Sequence, residues 1–316
     1  MTPSKLAVVA IGGNSLIVDR DHMTIADQAV TAAVTARHVA AMIAAGWKVV
    51  ITHGNGPQVG FILRRSEIGA SEVPPIPMDY ATSNTQGSIG YMFQRALGNE
   101  LRRRGIDRPV VSLVTQTRVD RDDGAFARPT KFIGPHLDEA TARRRGAEQG
   151  WTVERDGDRG WRRVVPSPLP RAIVELEVIR LLARSGTVVI ACGGGGMPVF
   201  ADEHGDLQGV EAVIDKDHAS SLLARALAAD LLLISTEVER VALDYGKPEQ
   251  RWLSRITLSE ARAHLASGQF PAGSMGPKIE AVTDFVAATG GQGLVTNPEN
   301  LARALAGETG TLVTPD

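Results

Sequence analysis

Short apolar runs alternate with helical patterns along most of the chain. Residues 6–11 (LAVVAI), 48–52 (KVVIT) and 187–192 (TVVIAC) are short and rich in β-branched residues, as buried strands are. Helical patterns cover residues 24–45 and 84–104, and a glycine follows each of them. Strands that alternate with helices typically form a parallel sheet with helices on both faces. The pattern therefore predicts an α/β fold.

A different pattern covers residues 120–165, which are mostly polar. A loop (120–135) and a polar helix (137–149) are followed by two short runs that each begin with tryptophan, 151–155 and 161–165, on either side of DGDRG. Two strands around such a turn form a β-hairpin. We expect a small polar subdomain that projects from the main sheet.

The other half of the chain contains a junction rich in charged residues. There, residues 209–217 (GVEAVIDKD) lead into a helix predicted over 222–228. In the first half, a single strand is predicted for residues 109–119. Asp215, Lys216 and Asp217 are therefore expected where a strand meets a helix. Because helix N-termini favour anions, a lysine there favours a phosphate site. The alternative is a tight turn in which an aspartate caps the helix.

Glycine-rich segments recur beside the predicted strands and helices: GGN (12–14), HGNG (53–56), GGGG (193–196) and GSMGPK (273–278). Glycine lets the backbone approach a ligand closely and present N–H groups to it. The chain has only six lysines against 28 arginines, and three of the lysines lie in turns rich in glycine or proline, namely Lys131, Lys216 and Lys278. A compact ammonium group suits phosphate. Together these features predict binding of a phosphate or a nucleotide.

Several familiar motifs are missing from the sequence. There is no G-x-x-x-x-G-K-[ST] loop, and GNGPQVG (54–60) has one residue too many for a dinucleotide fingerprint. There is no H-E-x-x-H pair, and Cys192 is the single cysteine, so we expect no zinc site. The chemistry that fits is direct phosphoryl transfer, which depends on positioning and charge neutralisation, with Mg²⁺ bridging the nucleotide phosphates.

Composition limits the partners and the compartment. The 316 residues carry a net charge of −2, so no whole-chain attraction to nucleic acid or to an anionic membrane is expected. One cysteine allows no intrachain disulfide, which fits a reducing compartment. No apolar run has transmembrane length, and the N-terminus is too quickly polar for a signal peptide. We expect a cytoplasmic protein.

Nine segments, in order along essentially the whole chain, together resemble the carbamate kinases of the amino-acid-kinase superfamily. They are AIGGNSL (10–16), THGNGPQVG (52–60), TQGSIGYMFQRAL (85–97), RPTKFIGP (128–135), VVPSPLPRAIVE (164–175), ACGGGGMPV (191–199), VIDKDHAS (213–220), YGKP (245–248) and GSMGPKIEA (273–281). The resemblance implies a three-layer αβα sandwich around a mainly parallel sheet, as a homodimer. It also implies reversible, Mg²⁺-dependent transfer between ATP and carbamate, giving ADP and carbamoyl phosphate.

The resemblance further implies roles for individual residues. The catalytic residues would be Lys131, Lys216, Lys278 and Asp217. Carbamate and the moving phosphoryl group would be bound by Gly12, Gly13, Asn14, Gly54 and Asn55. The nucleotide would be bound by Gly194, Gly195, Asp215, Thr236, Tyr245, Met275 and Gly276. No residue is assigned as a metal ligand, because the phosphates would hold most of the Mg²⁺. The single domain (1–316) would consist of an acceptor-binding lobe (1–170) and a nucleotide-binding lobe (171–316).

Two segments depart from the family pattern. Where the family commonly reads CGAM and then SQG, this chain has ATSN at 81–84 and then TQG, beginning at Thr85. The family's TDVD is replaced by TEVE at 236–239. If segment 81–84 borders the small substrate, the acceptor is altered. The alternatives are therefore a kinase of the same fold for another small carboxylate or a phosphonate, and a nucleotide-binding sensor without turnover. The retained lysines argue against the sensor.

Overall fold

The computed structural model describes residues 5–12, 16–17, 19, 21–271 and 273–316. Within these residues the main sheet has eight strands, of which one neighbouring pair, β16 (Gln292–Thr296) and β17 (Thr311–Thr314), is antiparallel and the other pairs are parallel. In spatial order the strands are β15 (Arg255–Thr257), β17 (Thr311–Thr314), β16 (Gln292–Thr296), β12 (Leu231–Ser235), β1 (Leu6–Ile11), β2 (Lys48–His53), β9 (Val188–Ile190) and β3 (Val110–Ser112). The mainly parallel sheet is confirmed.

Helices cover both faces of this sheet. Alternate residues of β1 point to opposite faces, so Val9 joins one apolar core and Val8 joins the other. The first core is completed by α1 (Ile25–Ala44), α3 (Met78–Arg103) and α9 (Leu301–Leu305). The second is completed by α5 (Leu176–Arg184), α6 (Lys216–Ala226), α7 (Leu258–Ala266) and α8 (Met275–Thr289). Fully buried strands of this kind explain the uninterrupted apolar runs of the sequence.

A separate antiparallel sheet forms the polar subdomain. It contains β5 (Lys131–Leu137), β7 (Trp161–Val165) and β6 (Thr152–Arg155), with α4 (Glu139–Gln149) joining β5 to β6. The hairpin predicted around DGDRG is thus present, whereas β5 begins inside the segment predicted as a loop. Arginine side chains stack on its tryptophans, such as Arg163 at 4.9 Å from the Trp151 ring centre. Cation–π contacts therefore add to the strand pairing and to the hydrogen bonds that Asp156 accepts from Arg159 and Arg162 in this subdomain.

Smaller sheets complete the fold. A four-stranded sheet contains β11 (Leu207–Gly209), β10 (Met197–Ala201), β4 (Gln116–Arg118) and β8 (Ala172–Ile173), and a two-stranded sheet contains β13 (Val241–Leu243) and β14 (Arg251–Leu253). The single strand predicted for residues 109–119 is wrong, because β3 ends in the main sheet and β4 begins in another sheet. Between them, the Thr115 N–H and carbonyl bind the side-chain amide of Gln86. No helix among the described residues is long and apolar enough to span a membrane.

Three helix starts differ from the sequence prediction. The segment from residue 53 to 60 contains the start of an additional helix, α2 (Gly56–Gly69), whose first turn carries Pro57, a residue that suits this position. Helix α3 begins at Met78 rather than residue 84, and Glu211 accepts a hydrogen bond from the Met78 N–H at 2.9 Å. Helix α6 begins at Lys216 and follows a non-strand segment, so the strand predicted before it is wrong.

Candidate active site

A cavity of about 460 Å³ opens where β1, β2 and β12 end. Carboxyl ends of parallel strands are the usual ligand site of such sheets. The predicted residues that line this cavity are Gly12, Gly54, Asn55, Lys131, Gly194, Asp215, Lys216, Asp217, Thr236, Tyr245, Met275 and Lys278. Gly195 and Gly276 do not line it, and Gly13 and Asn14 lie outside the described residues. The structure thus gathers residues from distant parts of the sequence around one space.

Three helices begin at the cavity wall. The first residues of α2, α6 and α8 line it, together with the residue that precedes each helix, namely Asn55, Asp215 and Ser274. Neither Asn55 nor Ser274 caps its own helix with a side-chain hydrogen bond. Helix N-termini carry a partial positive charge and amide donors. The cavity is therefore suited to anions independently of its lysines.

Lys131 reaches the cavity from the first residue of β5. Its ammonium nitrogen lies 2.7 Å from Asp215 Oδ2, while Asp215 Oδ1 accepts from the Asp217 N–H at 2.8 Å and caps α6. Burial raises the pKa of the Asp215 carboxyl, but the Lys131 ammonium, with smaller contributions from His218 and Lys216, outweighs burial, and together these groups hold that pKa well below its usual range. Asp215 therefore joins the polar subdomain to the start of α6 as a carboxylate.

Lys216 and Lys278 share one carboxylate, that of Asp217. Lys216 pairs with Asp217 Oδ1, and Lys278 Nζ lies 3.2 Å from Oδ2. The Asp217 side chain is only 4% exposed, and both ammonium groups are largely buried. Two cations held by one buried carboxylate are fixed in place before any ligand arrives. Such preorganised charge is the arrangement that stabilises a transferring phosphoryl group.

The four consecutive glycines form a buried turn at one side of the cavity. Gly194, Gly195 and Gly196 all have positive φ angles, which residues with side chains rarely adopt. A Cβ atom on Gly193 would lie 2.5 Å from the His53 ring, and one on Gly195 would lie 2.6 Å from the Ile214 carbonyl oxygen. The glycines therefore also serve close packing, beyond the exposure of N–H groups that the sequence suggests.

Comparisons with known proteins agree with this geometry. The model of the Amino acid kinase family matches residues 5–297. The chain belongs to the amino acid kinase family. It is 49% identical over 310 residues to the carbamate kinase of Pyrococcus horikoshii, and the match covers 98% of both chains. It is 46% identical to the carbamate kinase-like protein YahI of Escherichia coli, with 97% of this chain and 98% of that protein covered.

Solved structures of two proteins are also similar to this chain. The carbamate kinase of Giardia lamblia bound to AMP-PNP is 39% identical and has a TM-score of 0.93, with both chains covered completely. A protein from Aeropyrum pernix K1 is 41% identical with a TM-score of 0.93, and the match covers 99% of this chain and 100% of that one. These likenesses confirm the predicted fold and the resemblance to the carbamate kinases within the family.

Two buried residues of α3 hold the cavity wall, although no role was assigned to either of them from the sequence. The Gln86 side chain donates to the carbonyl oxygens of Thr115 and Gly193, at 3.0 Å each. Thr85 accepts a hydrogen bond from the side-chain nitrogen of Asn55 at 2.8 Å. The available signal was a pair of polar residues in the first half of an otherwise amphipathic helix, but the sequence does not show which loops the pair contacts.

Segment 81–84, the departure from the family pattern, lies beside this pair. None of its residues is among those lining the cavity. Its link to the cavity runs from the Thr82 carbonyl oxygen, which accepts a hydrogen bond from the Thr85 hydroxyl at 2.6 Å, and then through Thr85 to Asn55. Segment 81–84 therefore does not line the cavity, and it is connected to the cavity through Thr85 and Asn55.

Proposed function

We propose that the protein transfers a phosphoryl group between ATP and carbamate, giving ADP and carbamoyl phosphate, in a reversible reaction. One observation carries the proposal: three ammonium groups, those of Lys131, Lys216 and Lys278, line one cavity at which three helices also begin. The family and the relatives named carbamate kinase support the same reaction. Charge neutralisation without a nucleophilic side chain is what direct phosphoryl transfer requires.

Each group would have a distinct task in the transfer. Lys216 and Lys278 would neutralise the moving phosphoryl group and the nucleotide phosphates, with Asp217 fixing both ammonium groups. Lys131 would reach the same phosphoryl group from the subdomain. At about 4 Å and an effective dielectric constant of about 20, one ammonium–phosphate contact amounts to roughly 4 kcal/mol before desolvation. Three such contacts are a large part of what a kinase must supply.

The two substrates would occupy opposite parts of the cavity. The acceptor would lie against Gly12, Gly54 and Asn55. The same role for Gly13 and Asn14, which lie outside the described residues, stays a prediction. The nucleotide would lie near Thr236, Tyr245 and Met275, with Phe270 as a further apolar lining residue. This arrangement accords with the proposed division into an acceptor-binding lobe (1–170) and a nucleotide-binding lobe (171–316). In that division Lys131 belongs to the acceptor side.

Mg²⁺ would enter with the nucleotide. Among the described residues no three His, Cys, Asp or Glu side chains are grouped closely enough to hold a metal ion. The cavity does present the carboxylates of Asp215 and Asp217, and Mg²⁺ prefers oxygen ligands, commonly one or two carboxylates plus substrate phosphates. These residues fit an ion that is held mainly by phosphates. When bound, the ion would neutralise the charge of the phosphates during transfer.

Formation of ATP from ADP and carbamoyl phosphate, with and without Mg²⁺, tests the proposal on the purified protein. We expect rapid, Mg²⁺-dependent ATP formation. A folded protein that binds ADP but forms no ATP would refute the reaction. Screening other acyl phosphates and phosphonates would then distinguish a changed acceptor from a sensor without turnover.

We also propose that the protein is a homodimer, formed through the edge of the main sheet at β3. Exposed apolar side chains occur near this edge: Tyr91 on α3, which packs on β3, Val114, two residues after β3, and Val178 and Leu181 on α5, which packs on the neighbouring strand β9. A sheet edge with exposed apolar groups is suited to pairing with another chain. Light scattering tests the proposal.

The matched variants are Leu181→Asp and Ile68→Asp, because Ile68 is equally exposed but lies on α2. We expect a dimer for the wild type and for Ile68→Asp, and a monomer for Leu181→Asp. A dimeric Leu181→Asp protein or a monomeric wild type would contradict this interface.

The cytoplasm is the compartment that we propose for this activity. Cys192, the only cysteine of the chain, is buried and is a free thiol, and ATP, ADP and Mg²⁺ are cytoplasmic reactants. Fractionation of cells that express the full chain checks this.

A further inference from the structure

The side chain of Asn55 is held in an unusual way for its position. Asn55 precedes the first residue of α2, where an asparagine oxygen commonly accepts from the helix N–H groups, yet it makes no such bond. Instead its nitrogen donates to Thr85 Oγ1 on α3 at 2.8 Å. Gly194 closes the other side, because a Cβ atom there would overlap the Asn55 amide. Asn55 is 4% exposed and lines the cavity.

Thr85 determines which end of the Asn55 amide faces it. A hydroxyl group has a single proton, and Thr85 donates its proton to the Thr82 carbonyl oxygen at 2.6 Å. Thr85 can therefore only accept from Asn55, so the amide nitrogen must face it. The Asn55 oxygen is consequently turned away from Thr85. Within the described part of the chain, no donor forms a hydrogen bond with that oxygen.

The Asn55 oxygen is an uncharged acceptor, whereas the carboxylates of Asp215 and Asp217 on the same cavity are paired with lysines. The phosphoryl group is met by donors, namely the ammonium groups and the helix N–H groups, which suit oxygen anions. A carbamoyl group has nearly the same shape as an acetyl group, but it carries an amino group in place of the methyl group. The methyl group donates no hydrogen bonds, whereas the amino group donates them. A site built to hydrogen-bond such a group rejects an analogue that lacks it far more strongly than apolar contacts do.

We infer that Thr85 is a positioning residue for substrate selectivity. By fixing the Asn55 amide, it directs the Asn55 oxygen to accept from the amino group of carbamate or carbamoyl phosphate. The inference rests on the proposed function and adds the origin of its preference for an amino-bearing acceptor. Segment 81–84 takes part because the Thr82 carbonyl oxygen accepts the hydrogen bond that the Thr85 hydroxyl donates.

The test compares carbamoyl phosphate with acetyl phosphate as phosphoryl donors to ADP. The variants are Thr85→Val, which removes the hydroxyl at constant shape, Thr85→Ser, which keeps it, Asn55→Ala, and the double variant Thr85→Val with Asn55→Ala. The measured quantity is the ratio of kcat/KM for the two acyl phosphates. The KM for ADP and thermal unfolding are recorded for each variant.

We expect the ratio to fall about tenfold or more in Thr85→Val and in Asn55→Ala, and to stay within about threefold of wild type in Thr85→Ser. Because Thr85 acts through Asn55, the double variant should lose no more selectivity than Asn55→Ala alone. The KM for ADP should be unchanged throughout. A purely structural loss would lower kcat/KM for both acyl phosphates equally and leave the ratio of the two values unchanged.

Two results would overturn the inference. One is an unchanged ratio in Thr85→Val or in Asn55→Ala, and the other is a further loss in the double variant. If Thr85→Val does not fold, the ratios of Thr85→Ser and Asn55→Ala still decide. Failure of the proposed function is distinguishable, because a wild type that uses neither acyl phosphate fails before any variant is made.

Discussion

Acidification from pH 7 to pH 5 is expected to weaken the fold through His53, the last residue of β2. The imidazole is 1% exposed, and burial lowers its pKa from 6.5 to about 4, although the Gly54 carbonyl oxygen raises it slightly. Between pH 6.5 and 4 the unfolded chain therefore binds a proton at His53 that the folded chain does not. By linkage, this contribution to stability is present above pH 6.5 and is lost as the pH falls towards 4.

The two pKa values give the size of the effect. At pH 5 the unfolded chain is mostly protonated at this residue and the folded chain hardly at all, which corresponds to about 2 kcal/mol relative to pH 7. That is a substantial part of a typical stability of about 5–15 kcal/mol. The folded state has little room to adapt, since the ring packs against Gly193, whose Cβ position would lie 2.5 Å from Nε2.

Urea unfolding at pH 7, 6 and 5, followed by circular dichroism, measures this effect. The matched variants are His53→Asn, which removes the buried imidazole, and His204→Asn, which removes an exposed one. We expect the free energy of unfolding to fall with pH in the wild type and in His204→Asn, and to fall about 2 kcal/mol less in His53→Asn. Equal slopes in all three proteins would refute the reasoning.

Three further predictions concern the cavity and its surroundings. Lys216→Ala should lower kcat for ATP formation about a hundred- to a thousandfold, whereas Lys247→Ala, which removes an exposed lysine, should stay within about twofold in the same assay. Gly194→Ala should lower turnover of carbamoyl phosphate, because its methyl group would displace the Asn55 amide and its φ angle is +66°; turnover like that of the wild type would contradict this. Cys192 should react with a thiol reagent only after denaturation, because it is fully buried and burial raises the pKa of its thiol; fast reaction of the native protein would contradict this.

The sheet was largely predictable because buried parallel strands leave a strong pattern. Residues 6–11 and 49–51 are uninterrupted apolar runs, since both faces of these strands are covered by helices. Where tertiary contacts decide the structure, the prediction was wrong. The chain between 112 and 116 leaves one sheet for another because Gln86 binds the backbone of Thr115, and no local pattern indicates that contact.

The composition of the site was easier to predict than its connections. Lysines in glycine-rich turns pointed to phosphate, and Lys131, Lys216 and Lys278 do line one cavity. The sequence did not indicate that Lys131 would pair with Asp215, 84 residues further along the chain. Such pairs depend on how the subdomain folds back over α6, and periodicity within a segment carries no information about contacts between segments.

The pairing of these charges bears on how one site can serve both directions of the reaction. Three ammonium groups and the two carboxylates of Asp215 and Asp217 leave one net positive charge at the cavity wall. Phosphoryl transfer moves negative charge from the nucleotide to the acceptor but does not change the total, so the wall neutralises reactants and products to a similar extent. In the proposed arrangement, only the transition state would place charge midway between the two substrates, near Lys216 and Lys278, which one buried carboxylate holds. Fixed charges in that position lower the barrier from either side without favouring one of them.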